Sequence, residues 1–375
     1  MSGPSPAILD TARRWLEAEP DDDIRAELSE LIDVGDPSLE ERFSGRLQFG
    51  TAGLRAAVGA GSMRMNRLVV RQAAAGLARR LLATDPRVRE RGILVAGDAR
   101  RKSDLFVLDT ARVFAALGVP VRLFDEVVPT PVLAWSITGL DASAGVMVTA
   151  SHNPPADNGY KVYLDSGAQI VPPHDEAISA AIGAVDPFSV ELAAGDHPLI
   201  SRLGHDHVEA YLDSVPAVRL RPEIEPVRVA YTAMHGVGGA TFVEAFERSG
   251  LGRPEIVEEQ FAPDADFPTV PFPNPEEPGA MDRVIAASPP IANPPVGDGV
   301  GPAVPTRDGG WRRLGGDEIG WLLADHILRN TSGDDRLVVT TLVSSSLLRS
   351  NAAEHGVHAQ ETFTGFKWIA HTVGV

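Results

Sequence analysis

Residues 145–163 read GVMVTASHNPPADNGYKVY and hold the densest chemistry in the chain. A serine, Ser151, stands in a short polar loop directly after an apolar run at residues 145–150. The loop then supplies His152, Asn153 and Lys161, with Pro154, Pro155 and Gly159 stiffening and turning it. A strand end that opens into a loop is where open α/β sheets carry their chemistry. A hydroxyl set among donors and a cation suits phosphoryl transfer, where positioning and charge neutralisation supply most of the catalysis. Without that chemistry, the same residues read as an Asn-Pro turn with a helix-capping serine.

Thr149-Ala150-Ser151-His152-Asn153-Pro154 followed by Asn158-Gly159-Tyr160-Lys161 resembles the signature of the α-D-phosphohexomutases, the phosphoglucomutases and phosphomannomutases. Further segments resemble that family in order. Phe49-Gly50-Thr51-Ala52-Gly53-Leu54-Arg55 is similar to F-G-T-A-G-L-R. Residues 97–103, with Asp98, Arg100 and Ser103, are similar to G-x-D-x-R-x-x-S, and Val128-Pro129-Thr130-Pro131 is a shared connector. Thr232-Ala233-Met234-His235-Gly236-Val237-Gly238-Gly239 and Phe272-Pro273-Asn274-Pro275-Glu276-Glu277-Pro278 follow, then Thr364-Gly365-Phe366-Lys367-Trp368-Ile369.

The resemblance implies reversible transfer of phosphate between O1 and O6 of a hexose phosphate, glucose or mannose, through phosphoserine and a bisphosphate intermediate. It implies that Ser151 carries the phosphate and that Arg55 reaches it. Lys161 with Arg55 becomes the acid–base pair, and His152 is a further candidate whose intrinsic pKa suits proton transfer. Asn153, Lys367, Thr364 and Gly365 become substrate-binding residues, and Asp98 with Arg100 an ion pair bracing the floor. Mg²⁺, held by the phosphorylated Ser151 and Asp298, and glucose 1,6-bisphosphate as activator and phosphate donor are the implied cofactors.

Elements that would position these residues can be read from pattern. Residues 6–33 and 66–82 have helical apolar spacing, residues 92–96 read as a strand, and Ser103 reads as the cap of a helix over 105–117. A strand at 119–124 and helices at 175–184 and 208–215 follow, then a strand at 227–231, a helix ending at Ser249, and a strand at 337–343. This rhythm predicts consecutive three-layer α/β domains with mixed, mainly parallel sheets, the family's fourth domain being absent. The expected domains are residues 1–205 with the phosphoserine loop, 206–332 with the metal loop, and 333–375 as the start of a third. His205 and His207 could bind metal, but with no third ligand evident they read better as a solvated helix start. The glycine-rich turn at 232–239 reads as structural. Gly315-Gly316-Asp317-Glu318 reads as an acidic helix N-terminus.

The chain departs from the family pattern at one loop. Family members carry N-D-P-D-A-D-R or D-G-D-G-D-R, whereas this chain reads Ala292-Asn293-Pro294-Pro295-Val296-Gly297-Asp298-Gly299. Only Asp298 survives of the three aspartates; Pro294 and Val296 take the other two positions and Gly299 replaces the arginine. Mg²⁺ demands a near-octahedral set of oxygen ligands. Prolines at 289, 290, 294 and 295 also disfavour a central strand, so a damaged or disordered patch is expected here. Little or no mutase turnover is expected, with a sugar-phosphate-binding remnant or fragment as the alternative.

Composition sets outer bounds. The 375 residues carry a net charge of −17 and no cysteine, which excludes disulfides and Cys-ligated zinc and argues against nucleic acid as partner. No apolar run is long enough for a membrane span and no signal-peptide core is present, so a cytoplasmic enzyme with a hexose phosphate as partner is expected. Oligomeric state is not specified. A P-loop and the kinase motifs are missing, which excludes those routes to phosphoryl transfer.

Overall fold

The computed structural model describes residues 3–48, 53–287 and 290–374. Two compact units emerge, Met1–His205 and Asp206–Val375.

The first unit opens with helices α1 (Pro6–Ala18), α2 (Asp22–Asp33) and α3 (Ser38–Arg42). The continuous helix expected over 6–33 is thus two. Pro20 lacks a backbone donor and biases Glu19 to an extended conformation, which ends α1. There follow β1 (Leu54–Ala57), α4 (Arg67–Thr84), α5 (Val88–Arg91), β2 (Ile93–Gly97), α6 (Ser103–Ala116), β3 (Val121–Phe124), α7 (Thr130–Gly139), β4 (Ala144–Val148), β5 (Asp157–Leu164), α8 (His174–Gly183) and β6 (Ile200–Leu203). The sheet order is β1-β5-β4-β2-β3-β6, with β4, β2, β3 and β6 parallel and β5 antiparallel to both its neighbours, β4 and β1. β2 and β4 are buried along their whole length, as central parallel strands covered on both faces must be. Asn66 caps α4, accepting the Val69 N–H at 3.0 Å. Chain order puts α6 on the way from β2 to β3, whereas α7 returns past β2 to β4. The two crossovers run in opposite directions along the sheet, so β2 and β4 border a topological switch point, where open sheets form a crevice at their carboxyl ends.

The second unit contains α9 (His205–Ser214) from Asp206 onward, β7 (Ala230–Thr232), α10 (Gly239–Arg248), β8 (Glu255–Ile256), α11 (Asp282–Ala287), β9 (Pro290–Ala292), β10 (Gly301–Pro305) and β11 (Trp311–Arg313). Their sheet runs β11-β10-β9-β7-β8. α12 (Gly316–Asn330), β12 (Leu337–Thr341), α13 (Leu347–Glu354), β13 (His358–Thr362) and α14 (Phe366–Thr372) follow, β12 pairing β13 in parallel. The proline-rich stretch corrects an expectation. β9 is ordered and central, pairing β7 on one side and β10 on the other. Pro290 takes the first position of the strand, where a missing donor is tolerated, and only Ile291 and Ala292 need ladder positions beyond it. Ser288 and Pro289 lie outside the described residues.

Candidate active site

Ser151 follows β4 by three residues and sits at the switch point, buried, with φ +58°. A non-glycine residue holds this left-handed conformation only when its surroundings over-determine it. Here they do. The Ser151 N–H donates to Thr149 Oγ1 at 2.8 Å, and the Thr149 hydroxyl donates to Asp98 Oδ2 at 2.6 Å. Arg100 then grips the loop from below. Its Nη2 donates to the carbonyls of Ser151 and Asn153, both at 2.8 Å, and its Nη1 to those of Pro154 at 2.8 Å and Asp157 at 3.1 Å.

Asp98 and Arg100 form the ion pair the motif implied, Nε to Oδ2 at 3.3 Å, with both side chains almost fully buried. Burial lowers the guanidinium pKa from its ordinary value, and the Asp98 and Asp157 carboxylates oppose that fall. Ser103 differs from its expected role. It is the first residue of α6, after a left-handed Lys102, and its hydroxyl donates to Asp98 Oδ1 at 2.8 Å instead of capping the helix.

The sheet face beside Ser151 that carries the sequence candidates is built on β5 and β1. Arg55 lies opposite Gly159 in the antiparallel ladder, and Lys161 is two residues on from Gly159. Arg55 and Lys161 therefore share one face of the sheet as diagonal neighbours. Gly159 has to be glycine: a Cβ there would stand 2.5 Å from the Thr149 carbonyl and 2.6 Å from that of Leu54. Arg55 Nη1 donates to Asn153 Oδ1 at 3.2 Å, and Asn153 Nδ2 to Asp157 Oδ2 at 2.8 Å. His152 Nδ1 lies 3.4 Å from Ser151 Oγ. Lys161 is buried. Phe49, Gly50, Thr51 and Ala52 of the preceding motif lie outside the described residues.

The remaining sequence candidates, His205 apart, belong to the second unit. Lys367 on α14 is only 6% exposed, with Nζ 5.7 Å from the Trp368 ring centre. Gly365, at φ +120°, precedes α14, and Thr364 is exposed. Asp298 is exposed at the tip of the 293–299 loop. That loop is held by main-chain bonds from the glycine-rich turn, whose structural role is thereby seen. Val237 N–H donates to the Pro295 carbonyl at 2.7 Å, and Asn293 N–H to that of Thr232 at 3.2 Å. Gly236 backs directly onto Pro295, leaving no room for a Cβ. Met234 and His235 both have positive φ, and His235 Nε2 lies 2.8 Å from Thr269 Oγ1. His205, the last residue of the first unit, has Nδ1 2.7 Å from Glu126 Oε1, and His207 of the second contacts Asp206.

The donor set of the 293–299 loop does not fit Mg²⁺. Asp298 is its single carboxylate; Pro294 and the fully buried Val296 offer no side-chain oxygen. Among the described residues no three His, Cys, Asp or Glu side chains cluster as a cation cage would.

Two residues carry more of the site than sequence reasoning assigned. Thr149 relays Asp98 to the Ser151 backbone. Asn158, fully buried, donates to the Arg101 carbonyl at 2.9 Å and to Ser103 Oγ at 3.0 Å, and accepts the Gly159 N–H at 2.7 Å. Both stand inside the quoted motif, which was the available signal. Their partners lie about fifty residues earlier, which spacing does not reveal.

Known proteins resemble this chain in sequence and fold. Sequence models of the phosphoglucomutase/phosphomannomutase α/β/α domains I, II and III match residues 46–187, 207–289 and 315–373. A Haemophilus influenzae protein named "Probable phosphomannomutase" is 40% identical over 84% of this chain and 65% of its own length. A Mus musculus "Phosphopentomutase" is 36% identical over 96% of this chain and 62% of its own. The chain thus spans less than two thirds of the length of these relatives. In fold it is similar to a Burkholderia thailandensis phosphoglucomutase/phosphomannomutase family protein, with TM-score 0.70 at 23% identity over 88% of this chain and 69% of that one. With three successive domain matches and relatives of this identity, the chain belongs to the α-D-phosphohexomutase family, the phosphoglucomutase/phosphomannomutase mutases.

Proposed function

We propose that Ser151 is a phosphate-carrying serine in hexose phosphate chemistry, moving phosphate between O1 and O6 of glucose or mannose phosphate through a bisphosphate intermediate. One observation carries this reading: a buried serine in a left-handed turn, pinned through its loop carbonyls by Arg100, beside a sheet face bearing Arg55 and Lys161. In the transfer, the bond from phosphorus to Ser151 Oγ breaks as a bond to the sugar hydroxyl oxygen forms. The hydroxyl proton leaves to a base and returns to Oγ. His152 and Lys161 are the groups proposed for that traffic, and Arg55 offsets charge on the moving phosphoryl group. Asn153 holds Arg55 in reach. Lys367, Thr364 and Gly365 are proposed to hold the sugar phosphate, and Asp98 with Arg100 to brace the floor.

The 293–299 loop favours a second reading alongside the first. With Asp298 the single carboxylate, turnover of this chain is proposed to be slow or nil, leaving a protein that binds hexose phosphates. No described helix is long and apolar enough to cross a membrane, and a cytoplasmic setting is part of the proposal. The test is intact mass with peptide mapping after incubation with glucose 1,6-bisphosphate and Mg²⁺. Phosphate on Ser151, absent from Ser151→Ala, supports the donor serine. Folded protein that takes up none, yet binds glucose 1-phosphate at equilibrium, leaves the binder alone. Ordinary mutase turnover overturns the claim of impairment.

A further inference from the structure

The bend that presents Arg100 is itself anchored from a distant part of the first unit. Lys102, two residues on, has φ +66°, a conformation that residues with a Cβ seldom hold unaided. Its ammonium lies 2.7 Å from Asp23 Oδ1 and 3.4 Å from Asp21 Oδ2, at the turn from α1 to α2. Asp21 is nearly buried and also lies 4.0 Å from Arg67 of α4. The Asp23 carboxyl is held below its ordinary range, chiefly by the hydrogen bond from Lys102. On either side of Lys102 the chain meets the serine loop. The Arg101 carbonyl accepts from Asn158 Nδ2, Ser103 bonds both Asn158 and Asp98, and Arg100 donates to four carbonyls of the loop.

We propose that Lys102, clamped by Asp21 and Asp23, is a positioning residue that sets the Ser151 loop through the 98–103 bend, making the helices α1 and α2 part of the catalytic scaffold. The chemical part rests on the reading of Ser151 as the phosphorylated residue; the positional part does not. The N-terminal helices would otherwise be packing alone. With the clamp in place, a bend that carries Arg101, Lys102 and Ser103 in fixed register aims the Arg100 guanidinium at backbone carbonyls, and Ser151 keeps its left-handed turn.

The experiment uses the full chain and four variants: Lys102→Met, which keeps the stem and removes the charge, Lys102→Arg, which restores it, and Asp23→Asn and Asp21→Asn. Asp23 is an exposed carboxylate, its side chain 69% accessible, so its loss does not threaten the fold. Two quantities are read. One is amide exchange at Ser151, Asn153 and Asp157, whose N–H groups bond within the loop. The other is the rate at which glucose 1,6-bisphosphate phosphorylates Ser151. Lys102→Met is expected to speed exchange at these amides roughly fivefold to tenfold while β2 and β4 stay protected. Phosphorylation should slow to match, and both should recover in Lys102→Arg. Asp23→Asn should show the same pattern more weakly. Loop exchange at the wild-type rate in Lys102→Met and Asp23→Asn overturns the proposal, and so does faster exchange spread evenly over the unit. If the wild-type chain takes up no phosphate, the reading of Ser151 fails, while the exchange measurement still decides the clamp.

Discussion

Two loops of this chain follow buried strands of α/β sheets and differ in what holds them. The Ser151 loop is gripped by charged and hydroxyl side chains: Arg100 on four carbonyls, Asp98 through Thr149, Asn153 on Asp157. The 293–299 loop is held by main-chain bonds, prolines, close packing on Gly236 and one neutral amide, Asn293 Nδ2 donating to the Gly299 carbonyl at 2.5 Å, with its carboxylate left at the exposed tip. Both are ordered, yet only the first concentrates groups that can bind and move charge. A loop can be well packed and chemically empty; order and chemistry come from different residues.

The sharpest way to break the contrast is Arg100→Leu. It leaves Asp98 buried without its cation and frees four carbonyls, so a loss of about 3–5 kcal/mol is expected in denaturant unfolding, with Ser151 phosphorylation abolished. Its absence would mean the loop holds itself.

The units should also respond oppositely to pH. Burial pushes the Glu19 carboxyl up from 4.5 to about 7, against the opposing hydrogen bond that the Asp21 N–H donates to it. Between those values the unfolded chain has lost a proton the folded chain retains, so first-unit stability falls as pH rises through that window. The full effect is about 3 kcal/mol, removed in Glu19→Gln. Burial lowers the His235 pKa below 6.5, so second-unit stability falls as pH drops below 6.5. Exchange resolved by segment at pH 5 and pH 8 reads both.

Restoring carboxylates tests the emptiness of the second loop. Pro294→Asp with Val296→Asp puts a charge where Val296 is fully buried. It should cost about 2–3 kcal/mol in chelator, and Mg²⁺ should return part of that as a raised unfolding midpoint. Midpoints indifferent to Mg²⁺ would show that side chains alone do not make this loop a cation site. The smallest effect expected is Asn153→Ala, about 1 kcal/mol, with slower phosphorylation of Ser151.

Much of the first unit was legible because its signals are local. β2 and β4 read as apolar runs, Asn66 caps a periodic helix, and the Asp98–Arg100 pair sits within one motif. Reading failed where the answer depended on position within an element or on distant partners. Pro20 split a periodic stretch into α1 and α2, and Pro290 was tolerated at the start of β9. The left-handed residues Lys102 and Ser151 are not glycines and have no glycine beside them to announce the turn. Ser103 looked like a cap because its actual partner, Asp98, was not recognised as the stronger claim on its hydroxyl.

The four hydrogen bonds from the Arg100 guanidinium to the serine loop all end on carbonyl oxygens, which every residue type supplies. Those bonds read the path of the chain, and the side chains at 154 to 156 do not enter them. Positions 154 to 156 should therefore accept a broad range of residues in a substitution scan as long as the path is kept, whereas Arg100 should accept almost none. A loop held this way is free to change its outward chemistry without being rebuilt.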